Sequence, residues 1–273
     1  YKVHSLDADG NLSTLAEIPE QPSGLGWLPD GSLIIVSMLD RKLMKLKDGE
    51  LSIPADMSDL SPYQCNDMVI AKDGTAYVGN FGTDSVESKI HKTCLISVTL
   101  KGETKICADG LLFPNGTVIS PDGKELIVGE TFGGNLTSFQ INESGELSHR
   151  TIWARVMPLH FKIITSIIRF LNIPLKESNS TPFPVPDGIC LDSDNGIWVA
   201  SPTTAEVIRY KKGGKITDRI ATPQPAYACM LGGKDEKELY ILTAESSNPQ
   251  FCKENKTGEI YKVEVDYERA GEP

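Results

Sequence analysis

Three short polar stretches carry the side chains best suited to chemistry: Asn66-Asp67, Pro114-Asn115-Gly116 and Pro186-Asp187-Gly188. Each stands directly ahead of an apolar run with the composition of a β-strand. Asn and Asp side-chain oxygens are hard donors, suited to Ca²⁺, Mg²⁺ or Mn²⁺. Ca²⁺ is the first expectation for a single divalent ion, with Zn²⁺, Mg²⁺ or Mn²⁺ as alternatives. The Asp-Gly pairs opened by Asp30, Asp73 and Asp122 follow an apolar run and read as hairpin turns. Asp187 precedes its run, so turn chemistry does not account for it. A carboxylate there, or at Asp67 beside Asn66, is a candidate base for a water molecule. Nucleophilic catalysis has less support. There is no GxSxG. His4 and His149 fall in outer strands, His91 in a loop and His160 in an insertion.

The elements that must position these groups form a repeat. An apolar run, a polar turn with Gly and a second apolar run recur around Val36, Val78, Val128, Val199 and Leu242, at spacings of 42, 50, 71 and 43 residues. A third strand follows each hairpin, at 42–46, 94–98, 136–139, 207–210 and 260–263, and a weaker fourth is visible at 149–153. The unit is clearest at 185–212, with strands expected at 188–191, 197–200 and 205–210. Several short strands per unit and a period in the forties predict an all-β fold, a six-bladed β-propeller. In that fold the first strand of every blade lines the central channel. Asn66, Asn115 and Asp187 are then expected to converge at one mouth. Ser23 holds the same repeat position and reads as a lining residue.

Residues 2–6 and 12–16 read as third and fourth strands without their own first and second. The expectation is five nearly complete units and an incomplete first blade, whose missing strands would need about 30–40 further residues upstream. The chain reads as one domain over 1–273, with an insertion at 154–184 accounting for the 71-residue spacing. Within it, Leu159, Ile163, Ile164, Ile167, Ile168 and Leu171 lie on one helical face, so a helix near 155–175 is expected. Because the insertion ends at Asp187, it reads as a lid carried by Leu159, Ile163 and Ile167, or as a helix packed on the rim.

Lys and Arg number 27 against 37 Asp and Glu, a net charge of −10, with no basic run. That argues against nucleic acid as a partner. No apolar run reaches the roughly 18 residues of a membrane span. Six cysteines lack any metal-binding or CxxC spacing and read as reduced thiols. They favour a reducing compartment such as the cytoplasm. Six Asn-X-Ser/Thr sequons, at Asn11, Asn115, Asn135, Asn142, Asn179 and Asn255, do not establish secretion. Compartment and oligomeric state stay open.

The segments PSGLGWLPDG, CNDMVIAKDGTAYVGNFG, FPNGTVISPDGKELIVGETFGGNLTSF, VPDGICLDSDNGIWVASP and ACMLGGKDEKELYILTA resemble the gluconolactonase/regucalcin (senescence-marker-protein) family of six-bladed propellers. The likeness covers nearly the whole chain apart from 154–184. It implies a central divalent metal and hydrolysis of lactones or related esters. Asn115 and Asp187 match two metal ligands of the family, and Asn66 matches an Asn that contacts metal or substrate. Asp84 falls near an acidic substrate-contacting position. Glu130 and Ser23 join the substrate-binding candidates. Gln64 stands where sugar-lactone hydrolases of the family carry Arg, which argues against polyhydroxylated substrates. The family's remaining ligand, a Glu on the first strand of the first blade, is expected either upstream of Tyr1 or to have been lost. The expected function is metal-dependent hydrolysis of a hydrophobic lactone or small ester. The alternatives are a non-catalytic calcium- or partner-binding propeller and a phosphotriesterase-like hydrolase.

Overall fold

The structure is a computed structural model that describes residues 1–7, 9–83, 89–158 and 183–272. Its first sheet has two strands, β1 (Lys2–Leu6) and β2 (Leu12–Glu17). Blade 1 follows as β3 (Pro22–Trp27), β4 (Leu33–Ser37), β5 (Lys42–Lys47) and β6 (Glu50–Asp56). Blade 2 is β7 (Cys65–Ile70), β8 (Ala76–Asn80), β9 (Thr93–Val98) and β10 (Thr104–Leu111). Blade 3 is β11 (Pro114–Ile119), β12 (Glu125–Glu130), β13 (Asn135–Ile141) and β14 (Leu147–Arg155). Blade 4 is β15 (Ile189–Leu191), β16 (Ile197–Ser201), β17 (Glu206–Tyr210) and β18 (Ile216–Ala221). Blade 5 has three strands, β19 (Ala226–Gly232), β20 (Glu238–Thr243) and β21 (Glu259–Glu264), with the short helix α1 (Pro249–Glu254) between the last two. All pairings within the sheets are antiparallel and sequential, the meander of a propeller blade.

The blade count departs from a six-bladed ring, although the five units and the half unit are those read from the sequence. The described residues form five blades of three or four strands, not six, and the remaining unit is only the β1–β2 hairpin. Those two strands have no inner pair beside them, so they make an outer ribbon rather than a blade. The helix expected near 155–175 is not described. Ala154 and Arg155 end strand β14, and residues 159–182, with Leu159, Ile163 and Ile167, lie outside the described residues. The helix α1 had no counterpart in the sequence reading. Asn248 caps it by accepting from the backbone N–H groups of Gln250 and Phe251.

The turns follow from local chemistry. Asp30, Asp73 and Asp122 each accept a backbone N–H two residues on, from Ser32, Thr75 and Lys124. The glycines that follow these aspartates adopt positive φ at 79°, 87° and 73°. In blade 4 Asp192 does the same for Asp194 and Gly196. It also holds Arg209, fully buried on β17, through Nε at 2.6 Å and Nη2 at 3.1 Å.

The core is a series of slabs between neighbouring blades. Val36, Leu43 and Met57 of blade 1 meet Met68, Val78 and Ile96 of blade 2. Val69, Tyr77 and Leu95 meet Leu126, Val128 and Phe139 of blade 3. Val118, Ile127 and Trp153 meet Val199, Ile208 and Tyr210 of blade 4. Trp198 and Val207 meet Leu231 and Ile241 of blade 5. The alternation of side chains along each strand supplies both faces of every blade. The segment after β21 crosses the end of the channel remote from Asn115. There Arg269 N–H bonds Glu236 O, Ala270 N–H bonds Leu191 O, and Glu272 pairs with Ile119 in both directions. Tyr267 lies under the Arg209 guanidinium, 3.5 Å from ring centroid to Cζ.

Candidate active site at the channel mouth

The inner strands β3, β7, β11, β15 and β19 run side by side around the channel. Each starts at the same end, so residues at one repeat position are brought together. Ser23 Oγ donates to Asn66 Oδ1 at 3.0 Å, and Asn66 Nδ2 donates to Asn115 Oδ1 at 3.0 Å. Asn115 Nδ2 donates to Thr131 Oγ1 at 3.0 Å, and that hydroxyl donates to Pro186 O at 2.8 Å. The residues joined by these bonds are 43, 49, 16 and 55 positions apart in sequence. The first two links join equivalent blade positions, as the repeat requires.

The neighbouring strands are knitted by backbone as well. Gly116 N–H bonds Asp187 O, Gly188 N–H bonds Tyr227 O, and Asp187 N–H bonds Ala200 O within blade 4. Glycine follows Asn115 because a Cβ at Gly116 would stand 2.5 Å from both Asp187 O and Ile189 N. The residue type is set by the approach of two strands, not by a turn.

Two carboxyls face this chain of amides. Asp187 has its pKa raised well above the usual carboxylate range by desolvation and then by the charge of Asp67, while hydrogen bonding from the Asn115 side chain and the Gly188 N–H opposes the shift. Asp67 is pushed up to about 6 by desolvation. Both are half-buried. A pair of mutually repelling carboxyls beside two amide oxygens is a donor set that a divalent cation would fit, because its charge offsets what raises both pKa values. Among the described residues, no three of His, Cys, Asp and Glu lie close enough to hold a metal together. Amide and carboxylate oxygens suit a hard cation better than Zn²⁺.

The other candidates separate. Gln64 sits at the mouth, its backbone carbonyl accepting from Phe81 N–H at 3.0 Å. Glu130 ends β12 opposite Pro114, but its carboxylate turns toward β13 and β14. It accepts from Arg150 Nη2 at 3.0 Å and the Thr137 hydroxyl there, and from Leu112 N–H at 2.8 Å in the link between β10 and β11. It lines a cleft of about 410 Å³ together with Lys92 and Arg150. Asp84 lies outside the described residues.

Sequence reasoning missed three groups. Thr131 links Asn115 to blade 4. Tyr227 occupies in blade 5 the position held by Ser23, Asn66, Asn115 and Asp187 elsewhere, and aligning Ala226-Tyr227-Ala228 with Pro186-Asp187-Gly188 would have found it. Phe81, Phe113 and Phe132 cluster at the same mouth, with ring centroids 4.5 Å apart for the first two and 5.2 Å for the second two. Each lies one or two residues beyond a strand end, where the sequence reads only as turn.

A propeller whose mouth gathers amide and carboxylate oxygens from successive inner strands defines the class of protein. The chain belongs to the SMP-30/Gluconolactonase/LRE-like region family, which matches residues 1–245. A pentonolactonase, XacC, from Haloferax volcanii is 25% identical over 246 residues, covering 89% of this chain and 74% of that protein. A regucalcin from Sus scrofa is 32% identical over 83 residues, a match spanning only 29% of this chain and 28% of the regucalcin. The crystal structure of a calcium-binding protein, regucalcin, from Agrobacterium tumefaciens superposes with a TM-score of 0.75 at 20% identity, covering 100% of this chain and 85% of that one.

Proposed function

We propose that this protein is a divalent-cation-dependent hydrolase of lactones or small esters, acting on a hydrophobic rather than a sugar substrate. The observation that carries the reading is the bonded series Ser23–Asn66–Asn115, closed by Asp187 at one mouth. Asn66, Asn115 and Asp187 would hold the ion, with Ca²⁺ the best match to their oxygens. When bound, such an ion supplies Lewis-acid polarisation of a carbonyl and a more acidic water. Asp67 is the better base of the two carboxyls, because it is not one of the three proposed ligands and its pKa of about 6 suits proton uptake near neutral pH. Ser23 and Thr131 fix the two amides in orientation. Gln64 stands ready to contact substrate at the rim.

Hydrolysis of a lactone panel in Ca²⁺ and in chelator tests this reading, alongside calorimetric titration of the chelated protein with Ca²⁺. The expected result is turnover that chelator removes and Ca²⁺ restores. Absence of chelator-sensitive turnover on every lactone refutes the hydrolase. The calcium-binding relative favours a second reading, a cation-binding propeller without turnover. Calcium binding with no hydrolysis, and retained binding in Asp187→Asn, would favour that reading instead.

A further inference from the structure

Three phenylalanines stand at the channel mouth where the catalytic reading needs a substrate wall. The backbone places them there: Phe81 N–H bonds Gln64 O at 3.0 Å, and Thr131 N–H bonds Phe113 O at 3.1 Å. Phe113 is two residues from Asn115, and Phe132 follows the Thr131 that bonds Asn115. The Phe81 and Phe113 rings meet edge to face at 71°, and Phe132 closes on Phe113 at 38°. Beside them Tyr63 and His91 stack at 5.9 Å. The three Phe rings and Tyr63 are only partly buried and His91 is exposed, so the arc keeps apolar surface at the mouth instead of disappearing into a slab between blades. Phe113 also has φ of 57°, a backbone state that bulky residues adopt only where the surroundings impose it, and such residues gather at functional sites.

We propose that Phe81, Phe113 and Phe132 form the specificity wall of the site, receiving an aromatic ring next to the ester carbonyl. Aryl-fused lactones and aryl esters are then preferred over polyhydroxylated lactones. This rests on the hydrolase reading for the reaction, but the wall itself is a binding surface that can be tested without turnover. An aryl ring gains both area burial and edge-to-face contact on such a wall. A sugar's hydroxyls would lose water there without finding partners.

The test uses the full chain with Ca²⁺. One arm measures kcat and KM for dihydrocoumarin and for glucono-δ-lactone. The other measures binding of the ring-opened acids, 3-(2-hydroxyphenyl)propanoate and gluconate, by calorimetry. The expected result is an aryl preference in both arms. Phe81→Ala should weaken the aryl arm about ten- to a hundred-fold, mainly through KM and Kd, and change the sugar arm less than about two-fold. Phe81→Tyr should retain the preference. Phe132→Leu is the second variant should Phe81→Ala fail to fold. Equal affinity for the two acids, or a loss in Phe81→Ala that falls on both arms alike, overturns the wall. Aryl binding without any hydrolysis sinks the hydrolase reading and leaves the wall standing. Turnover without aryl preference does the reverse.

Discussion

Replacing Gly116 with alanine tests whether the spacing of blades 3 and 4 sets the geometry of the site. The new methyl would lie 2.5 Å from Asp187 O, 2.5 Å from Ile189 N and 2.8 Å from Gly188 Cα, where ordinary contact begins at 3.4 Å. All three neighbours are backbone, so no side chain can rotate away. Strand β15 must shift by about 0.9 Å, the difference between those contacts. Overpacking of this kind costs about 1–3 kcal/mol. For a chain of this size that lowers Tm by about 2–12 °C, at about 2–4 °C per kcal/mol. The shift also loosens the 3.2 Å bond from Gly116 N–H to Asp187 O and displaces the Asp187 carboxylate from Asn115. A misplacement near 1 Å costs on the order of a hundred-fold in rate. Thermal melts, calcium titration and lactone hydrolysis read the three effects. Gly123→Ala is the control: no atom lies within 4 Å of its Cβ and its φ is +73°, so it should cost stability alone, about 1–2 kcal/mol. A Gly116→Ala protein that melts and binds calcium like the parent would refute the close approach. Equal activity losses in both variants would show that the site is not what Gly116 protects.

Two further outcomes follow from buried charge. In chelator-treated protein, Asp67 has a folded pKa of about 6 against a usual 3.8, so the folded state holds its proton where the unfolded chain has released it. That contribution is complete below pH 3.8 and is lost as pH rises through about 6, by at most about 3 kcal/mol. Asp67→Asn should therefore raise Tm at pH 8, leave it unchanged at pH 3.5 and abolish hydrolysis; equal Tm at pH 8 would contradict the raised pKa. Arg209→Met strands Asp192, which is fully buried, and should cost about 3–5 kcal/mol in urea unfolding. A loss below about 1 kcal/mol would mean that the pair is not desolvated as described.

The parts of the fold legible in the sequence were those governed by local rules. Val36, Val78, Val128, Val199 and Leu242 all fall on second strands, because each run alternates or is uniformly apolar and follows a turn with Asp and Gly. The meeting of Asn66 with Asn115 was legible because repetition converts a distance in sequence into a position in space. What escaped depended on contacts between units. Arg209 alternates along β17 like a surface residue, and partners distant in the sequence, Asp192 and Tyr267 among them, explain its burial. Phe81, Phe113 and Phe132 look unrelated in sequence because they sit past strand ends in two blades and the link between them.

The crossing of the far channel end by Arg269, Ala270 and Glu272 changes how such a ring can come apart. In a stack of nearest-neighbour units, fraying would begin at the terminal sheet and proceed one step at a time. Here the last sheet is buckled to the third and fourth, so its departure requires rupture at Leu191 and Ile119 as well. Opening is thereby made cooperative across more than half the circle, and the oxygen-lined mouth at the other end inherits that stiffness.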